Sequence, residues 1–120
     1  LEALGRGECV ALMNDQKFNG GVPGPLFGHM AHTAPGPSRL ALRFGAPLLP
    51  IVARRTHKAR FRITLYDPIP LDRAAPRARA IEDAVHKINA FVEARVRENP
   101  EEWFWVHKRW PGEVYRRGSA

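Results

Sequence analysis

The clearest hydrophobic pattern in the chain is a helical one. Between Arg77 and Glu98, apolar side chains recur every three or four residues, and charged side chains fill most of the remaining positions. The apolar positions are Ile81, Ala84, Val85, Ile88, Phe91, Val92 and Val96. This spacing places them along one side of an α-helix. We therefore predict an amphipathic helix over Arg77–Glu98 whose apolar side packs on a core.

The segment that follows predicts a second helix. It opens with four residues that favour a helix start, by capping, by a fixed backbone angle or by their negative charge: Asn99, Pro100, Glu101 and Glu102. This helix would carry the aromatic segment 103–110. Trp103 and Trp110 are seven residues apart, so they would share one face of it.

Three segments have the pattern of β-strands. Glu8–Met13 is a nearly continuous apolar run, which is typical of a buried strand. Pro47–Ala53 is a second apolar run, and its Pro50 indicates an edge, a bulge or an early strand position. Arg60–Tyr66 alternates polar and apolar residues, which predicts a half-buried strand.

The intervening segments complete the predicted order of elements. Leu1–Gly7 has the pattern of the last turn of a helix closed by glycine, and we expect further chain upstream of it. Lys17–Pro37 is rich in Gly and Pro and predicts a long loop. Ser38–Phe44 predicts a short helix that Ser38 caps and Gly45 ends. The fold class is therefore α/β, a partial sheet flanked by helices. We expect residues 1–120 to be the C-terminal part of a single domain.

Composition narrows the choice of partners. The chain has 19 Lys and Arg against 12 Asp and Glu, a formal net charge of +7. This charge favours an anionic partner: nucleic acid, acidic lipid or a phosphorylated substrate. Its one cysteine, Cys9, allows no disulfide within the chain. No apolar run approaches the roughly 20 residues of a membrane-spanning helix, so we expect any membrane association of this segment to be peripheral.

Candidate chemistry begins with Asp15 and Gln16, which follow the predicted strand Glu8–Met13. At the carboxyl end of a strand in an α/β sheet, they would point into a cleft and hold a substrate or a catalytic base. The alternative is a simple polar turn. His29 and His32 are three residues apart, but a metal site needs at least one more ligand. We expect no metal and no cofactor.

Two further patterns carry a functional and a structural interpretation each. Six basic residues surround one predicted turn: Arg54, Arg55, His57, Lys58, Arg60 and Arg62. They would bind phosphates of a lipid headgroup or a nucleic acid, or form a solvated hairpin end. The Trp-rich segment with its Lys and Arg has the composition of a membrane-interface belt, and equally of a helix covering a core.

Common catalytic signatures are absent from the sequence. It contains no Gly-x-Ser-x-Gly, no phosphate-binding Gly-x4-Gly-Lys-Ser/Thr and no His-Glu-x-x-His. In addition, none of the five histidines is followed five residues later by Asp or Glu.

Three blocks nevertheless resemble the bacterial lipid A acyltransferases, the lauroyl/myristoyl transferases of the lysophospholipid-acyltransferase-like superfamily. The first is Gly7–Gln16, a glycine, an apolar run and Asp-Gln. The second runs from Gly21 through Phe27-Gly28 to Pro50. The third and most specific is Pro100–Trp110, similar to the family's Pro-Glu-x-Trp-x-Trp-x-His-x-Arg-Trp.

The resemblance implies an O-acyl transfer reaction. A histidine of the family's His-x4-Glu/Asp motif deprotonates a hydroxyl of a lipid A precursor, which attacks an acyl group carried on acyl carrier protein. That motif would lie upstream, so we expect the 120 residues alone to be inactive. Asp15 would be a supporting catalytic carboxylate. The substrate-binding residues would be Gln16, Phe27, Gly28, Arg54 and Arg55.

The resemblance also implies a location, the cytoplasmic face of the bacterial inner membrane. There the basic residues would meet lipid phosphates and the anionic membrane surface. Two alternatives use the same charge: a basic nucleic-acid-binding module, with Trp and Phe as stacking platforms, and a non-catalytic domain that binds anionic lipid. With the acyltransferase assignment, no nucleic-acid partner is expected.

Overall fold

The computed structural model describes residues 1–116. It contains short and long helices together with two β-hairpins. In chain order the elements are α1 (Glu2–Gly5), β1 (Val22–Leu26), β2 (His29–Thr33), α2 (Gly36–Phe44), β3 (Ile51–His57), β4 (Arg60–Leu65), α3 (Arg77–Glu98), a 3₁₀ turn (Pro100–Glu102) and α4 (Gly112–Arg116). The strands pair as β1–β2 and β3–β4, both antiparallel. The predicted class is confirmed: a mixed α/β structure with partial sheets flanked by helices.

Helix α3 is the scaffold of the fold, and the predicted span Arg77–Glu98 is confirmed. Its buried side is the side that the apolar spacing indicated. The buried residues are Ala80, Ile81, Ala84, Val85, Ile88, Asn89 and Val96. Strand β1 packs across this side, and its Leu26 is fully buried, as is Ala31 of β2. The core therefore lies between α3 and the first hairpin.

That first hairpin corrects the prediction of a long loop over Lys17–Pro37. The strands pair from Val22↔Thr33 to Leu26↔His29. Phe27 and Gly28 form the two-residue turn, with positive φ angles of 51° and 74°, as hairpin turns of this length require. Pro23 and Pro25 interrupt no cross-strand bond, because they alternate with the residues that bond to β2. The Gly and Pro residues of this segment therefore lie in the strands and the turn of a hairpin, and not in a long loop.

Helix α2 begins earlier than predicted and ends where predicted. It starts at Gly36, after Pro35, so Ser38 does not cap it. Ser38 is instead buried, and its hydroxyl has no hydrogen-bond partner within residues 1–116. Gly45 ends the helix in the left-handed conformation, with φ 63°, which glycine adopts at little cost.

The second hairpin, β3–β4, contains the other two predicted strands with shifted bounds. The predicted strand Pro47–Ala53 starts only at Ile51, after Pro50, and continues to His57. One face of the hairpin lies towards α3, where the Tyr66 ring meets the Phe91 ring edge-on at 4.9 Å between centroids. The other face is exposed. Strand β4 is therefore less buried than its alternating pattern predicted.

Two predicted elements do not form. Glu8–Met13 was expected to be a buried strand, but it has no regular structure, and Met13 is 79% exposed. An apolar run is buried as a strand only where neighbouring strands pair with it, and within residues 1–116 no strand pairs with this one. The predicted helix over 99–110 is also wrong, because only Pro100–Glu102 forms a turn and Trp103 is extended.

In the part of the chain that the structure describes, none of the helices has the length and apolar character needed to cross a membrane. The longest, α3, has charged residues along its exposed side.

The packing of β1 on α3 predicts a large stability effect at Leu26. Replacing Leu26 by Ala should lower the free energy of unfolding by about 2–5 kcal/mol, because the cavity left in a buried site collapses only partly. Met30→Ala in the opposite strand is the matched control, since Met30 is 53% exposed. Urea denaturation of both variants measures the difference. Equal losses would contradict this placement of the core.

Candidate functional site

The side chain of Asp15 is held in a fixed position. It is half-buried, and its carboxylate accepts a hydrogen bond of 3.0 Å from the indole N–H of Trp103. Its backbone carbonyl accepts a second bond, also 3.0 Å, from Nε of Arg109. Asp15 therefore does not point freely into solvent. It lies at the end of an irregular segment, however, and not at the tip of an interior strand.

Arg109 is the residue that ties Asp15 to the core. Its side chain is buried, with 2% of its surface exposed. One terminal nitrogen donates to the carbonyl of His32 at 2.8 Å, and the other to the hydroxyl of Thr33 at 2.7 Å. The Thr33 hydroxyl in turn donates to the side-chain oxygen of Asn89 at 2.9 Å. A continuous set of hydrogen bonds thus runs from Asp15 through β2 to α3.

Burial acts on the ionisation of Arg109. Loss of solvent lowers the pKa of the Arg109 guanidinium, while the negative charge of Asp15 opposes this shift. Arginine stays protonated even when buried. The site therefore contains a permanent positive charge beside the carboxylate of Asp15.

An aromatic cluster surrounds the turn between β1 and β2. The Phe27 ring lies 6.2–6.4 Å, between centroids, from the rings of Trp103, Trp105 and Trp110. The indole N–H of Trp110 donates to the carbonyl of Leu26 at 3.0 Å. This packing explains why 103–110 is not helical, because the rings are placed by contacts with the hairpin, which outweigh helix propensity.

Glu93 anchors the same turn from α3. Its carboxylate accepts the backbone N–H of Phe27 at 2.8 Å and forms an ion pair of 2.8 Å with Arg97. The Arg97 guanidinium also lies 4.8 Å from the centre of the Phe27 ring. The bond from Arg97, followed by the bond from Phe27, lowers the pKa of Glu93 below its ordinary value of 4.5.

The structure divides the predicted site residues into two groups. Asp15 and Phe27 are brought together, since Trp103 contacts both. Gln16 and Gly28 are exposed beside them. Arg54 and Arg55 belong instead to the second hairpin.

Arg54 and Arg55 have partners of different kinds. The Arg54 guanidinium is bonded to the side chains of Asn99 and Glu98 at the end of α3. The backbone N–H of Arg55 donates to Glu102 at 3.2 Å, while the Arg55 guanidinium lies over the Phe61 ring at 4.7 Å.

Two side chains, those of Asn14 and His107, have buried polar atoms without a hydrogen-bond partner within residues 1–116. Asn14 precedes Asp15 in the sequence, and the His107 ring contacts Trp103. Both polar atoms of the Asn14 side chain are buried, and within residues 1–116 neither has a partner. The same holds for Nε2 of His107, whose ring centroid is 6.0 Å from that of Trp103. Such groups are able to bind a hydroxyl or a carbonyl of a ligand.

Two shallow clefts lie elsewhere on the described residues. One lies along the start of α3, between Asp72 and Lys87, and the other between Val22 and Ile81. Neither is lined by Asp15. No cluster of three or more His, Cys, Asp or Glu residues suited to a metal exists within residues 1–116.

Sequence reasoning did not single out Arg109, Thr33, Asn89 or Glu93 as parts of the site. Asn89 and Glu93 are four residues apart, which places them on the same side of α3. The sequence does contain a signal for Asn89, because it is a polar residue within the apolar stripe of a helix. Arg109 falls within the block Pro100–Trp110 that carries the resemblance, but no local pattern shows that its hydrogen-bond partners lie more than 70 residues earlier in the chain.

The bonds of Arg109 predict that lysine cannot replace it. Arg109→Lys should lower the free energy of unfolding by about 2 kcal/mol or more, because a single ammonium cannot reach all three acceptors and leaves buried carbonyls unpaired. Arg79→Lys, at an exposed position of α3, should have little effect. Chemical denaturation tests both variants. An unchanged midpoint for Arg109→Lys would show that the bonds at Arg109 contribute nothing.

The lowered pKa of Glu93 predicts a pH dependence of stability. The ionised carboxylate stabilises the fold fully above its ordinary value of 4.5, and this contribution is lost as the pH falls through the lower pKa of the folded state. Glu93→Gln should therefore be less stable than the wild type at neutral pH, and the difference should shrink on acidification. Unfolding curves across the acid range measure this, with the exposed Glu82→Gln as control. Parallel curves for wild type and Glu93→Gln would contradict it.

Comparison with known proteins identifies the family of the chain. The chain matches the family described as bacterial lipid A biosynthesis acyltransferase over residues 1–111. No individual curated protein matches it significantly. The matched range includes Asp15, the Phe27–Gly28 turn and the Trp-rich segment through Arg109. The chain therefore belongs to the bacterial lipid A biosynthesis acyltransferase family.

Proposed function

We propose that this chain takes part in transferring a fatty acyl group from acyl carrier protein to a hydroxyl of a lipid A precursor. Family membership supports an acyltransferase role in lipid A biosynthesis. The observation that carries the finer proposal is the carboxylate of Asp15, held by the Trp103 indole next to the aromatic cluster. A carboxylate fixed in this way is suited to orienting a catalytic group.

The proposed reaction is an attack of a hydroxyl oxygen on a thioester carbonyl. A histidine base accepts the hydroxyl proton, the new C–O bond forms, and the C–S bond to the carrier breaks. The thiolate leaves and is protonated. We propose that this histidine comes from polypeptide outside these 120 residues, because none of the five histidines here has an acidic residue five positions later.

In this mechanism Asp15 acts as a supporting carboxylate. Ionised, it accepts hydrogen bonds, and one of them comes from Trp103. Its remaining acceptor capacity would orient the histidine or bind the attacking hydroxyl. Gln16, exposed beside it, and the Phe27–Gly28 turn would border the bound substrate.

Charge supports the choice of donor and acceptor. Acyl carrier protein is acidic, so a chain with a net charge of +7 attracts it over a distance. A lipid A precursor carries phosphates, which arginine binds well. Arg54 forms an ion pair with Glu98, whereas the Arg55 guanidinium donates to the Lys58 carbonyl and forms no ion pair within residues 1–116. Arg55 is therefore the better candidate of the two for a substrate phosphate.

The nucleic-acid alternative receives less support. Stacking of bases needs aromatic rings exposed on a basic face. Here Trp103 and Trp110 are half-buried against Phe27, and the indole N–H groups of all three tryptophans donate to other atoms of the chain. This packing favours a structural role for these rings within the acyltransferase.

The proposal predicts how acyl transfer depends on Asp15. The purified 120-residue chain should transfer no acyl group from acyl carrier protein to a lipid A precursor. Joined to upstream sequence that supplies His-x4-Glu/Asp, it should become active. Asp15→Ala should then lower kcat by about 10²-fold, within the range that positioned acid–base groups contribute. A radiolabelled acyl chain followed by thin-layer chromatography measures the transfer.

Glu82→Ala is the matched control, since Glu82 is an exposed carboxylate on α3 and should leave kcat unchanged. Acyl transfer by the 120 residues alone would overturn the proposal that the base lies elsewhere. Full activity of Asp15→Ala would remove Asp15 from the mechanism.

A further inference from the structure

The three tryptophans of the aromatic cluster share ring contacts but differ in the partner of the indole N–H. Trp105 and Trp110 both donate to backbone carbonyls. Of the three, Trp103 is the one that donates to an ionisable side chain, the carboxylate of Asp15, at 3.0 Å. The Trp103 N–H therefore acts directly on a candidate catalytic group, and the other two do not.

The carboxylate of an aspartate does not keep a fixed direction by itself. The torsion that turns its plane has broad minima, and the backbone at Asp15 pairs with no strand within residues 1–116. The bond from Trp103 fixes the carboxylate oxygen Oδ2. The bond from Nε of Arg109 to the Asp15 carbonyl fixes the backbone behind it. One segment of the chain thus anchors Asp15 at two points, the side chain and the main chain.

The indole that donates to Asp15 is itself held in place. The Trp103 ring packs edge-on against Trp105, with 4.6 Å between centroids. It also lies 6.4 Å from the Phe27 ring and 6.1 Å from the Trp110 ring. A ring with neighbours on several sides cannot follow an acceptor that moves. Such a donor sets the orientation of its acceptor.

The kind of donor decides what remains of the carboxylate. An indole contributes one N–H and no charge, whereas a guanidinium is able to bond both oxygens and to compensate the negative charge. Arg109 lies close by, but its two terminal nitrogens donate to His32 and Thr33 of β2. Asp15 forms no ion pair within residues 1–116. The bond from Trp103 uses Oδ2 and leaves Oδ1 to accept another hydrogen bond.

We propose that Trp103 is a positioning residue for acyl transfer, whose indole N–H holds Oδ2 of Asp15 so that the free oxygen Oδ1 is directed at the reacting groups. This inference rests on the role of Asp15 in the proposed function and adds the group that sets its direction. Loss of the N–H lets the carboxylate turn without removing a contact with substrate. The effect therefore falls on kcat and leaves KM unchanged.

The hydrogen bond is measurable on the 120-residue protein without an activity assay. The chain has three tryptophans, so a ¹H–¹⁵N spectrum should contain three indole N–H signals. Asp15→Ala should move the Trp103 signal upfield, because its proton loses a charged acceptor, and should move the signals of Trp105 and Trp110 less. A Trp103 signal that moves no more than the other two would overturn the inference.

Kinetics test the positioning role in the chain joined to upstream sequence that supplies the base. Trp103→Phe should lower kcat about tenfold or more, the change expected for loss of one hydrogen bond to a charged group. KM should stay within about twofold. Trp105→Phe is the matched control, since it removes the same N–H from a bond to a backbone carbonyl. Equal losses of kcat in the two variants, or a change in KM alone, would contradict the positioning role.

Ring packing has to be separated from hydrogen bonding. Trp103→benzothienylalanine keeps the shape of the ring system but has sulfur in place of the N–H. This variant should unfold at the same urea concentration as the wild type and should nevertheless lose kcat as Trp103→Phe does. Full activity would show that only the ring matters and would overturn the inference, even where Trp103→Phe fails to fold.

A double-mutant cycle distinguishes this inference from the proposed role of Asp15. Because Trp103 acts through the carboxylate, Trp103→Phe should change kcat by less than about twofold in the Asp15→Ala background. Independent, additive losses would overturn the role of Trp103 and leave that of Asp15 intact. Full activity of Asp15→Ala alone would overturn both.

Discussion

The position of the candidate site depends on one buried guanidinium, that of Arg109. An arginine presents five N–H donors in a rigid fork, so it is able to bond carbonyls that belong to separate segments. Here the segments are the irregular stretch ending at Asp15 and the strand β2, and Thr33 extends the connection to Asn89 of α3. The stretch before β1 pairs with no strand within residues 1–116. Side-chain bonds therefore supply the fixed position that a sheet would otherwise give.

The long helix was predictable because its signal is local and repeated. Over the 22 residues of α3, burial follows the apolar spacing almost position by position. The hairpin β1–β2 was not, since the glycines and prolines that indicate a loop are also compatible with a tight turn and with strand positions facing away from the partner. What distinguishes the two is the packing of Leu26 and Ala31 against α3, a contact between distant parts of the chain.

The candidate site shows the same division. Asp15 stood out because it follows an apolar run, although that run is exposed and is not a strand. The groups that hold Asp15 come from Trp103 and Arg109, 88 and 94 residues later. Their segment begins with residues that favour a helix, but Trp103, directly after Glu102, already has an extended backbone. Burial of large aromatic rings outweighs the few tenths of a kcal/mol per residue that separate most helix propensities.

The cations that give the chain its net charge of +7 differ in their surroundings and in their roles. Arg54, Arg97 and Arg109 are each committed to internal contacts: Arg54 and Arg97 to carboxylates, and Arg109 to carbonyl and hydroxyl oxygens. These cations stabilise the fold and are poorly placed to attract a partner. Arg55, Lys58, Arg60 and Arg62 of the β3–β4 hairpin form no ion pair within residues 1–116. Long-range attraction depends on total charge, but a bound complex depends on which cations have no acidic partner within the fold. A partner is therefore better inferred from the pairing of each cation than from their sum.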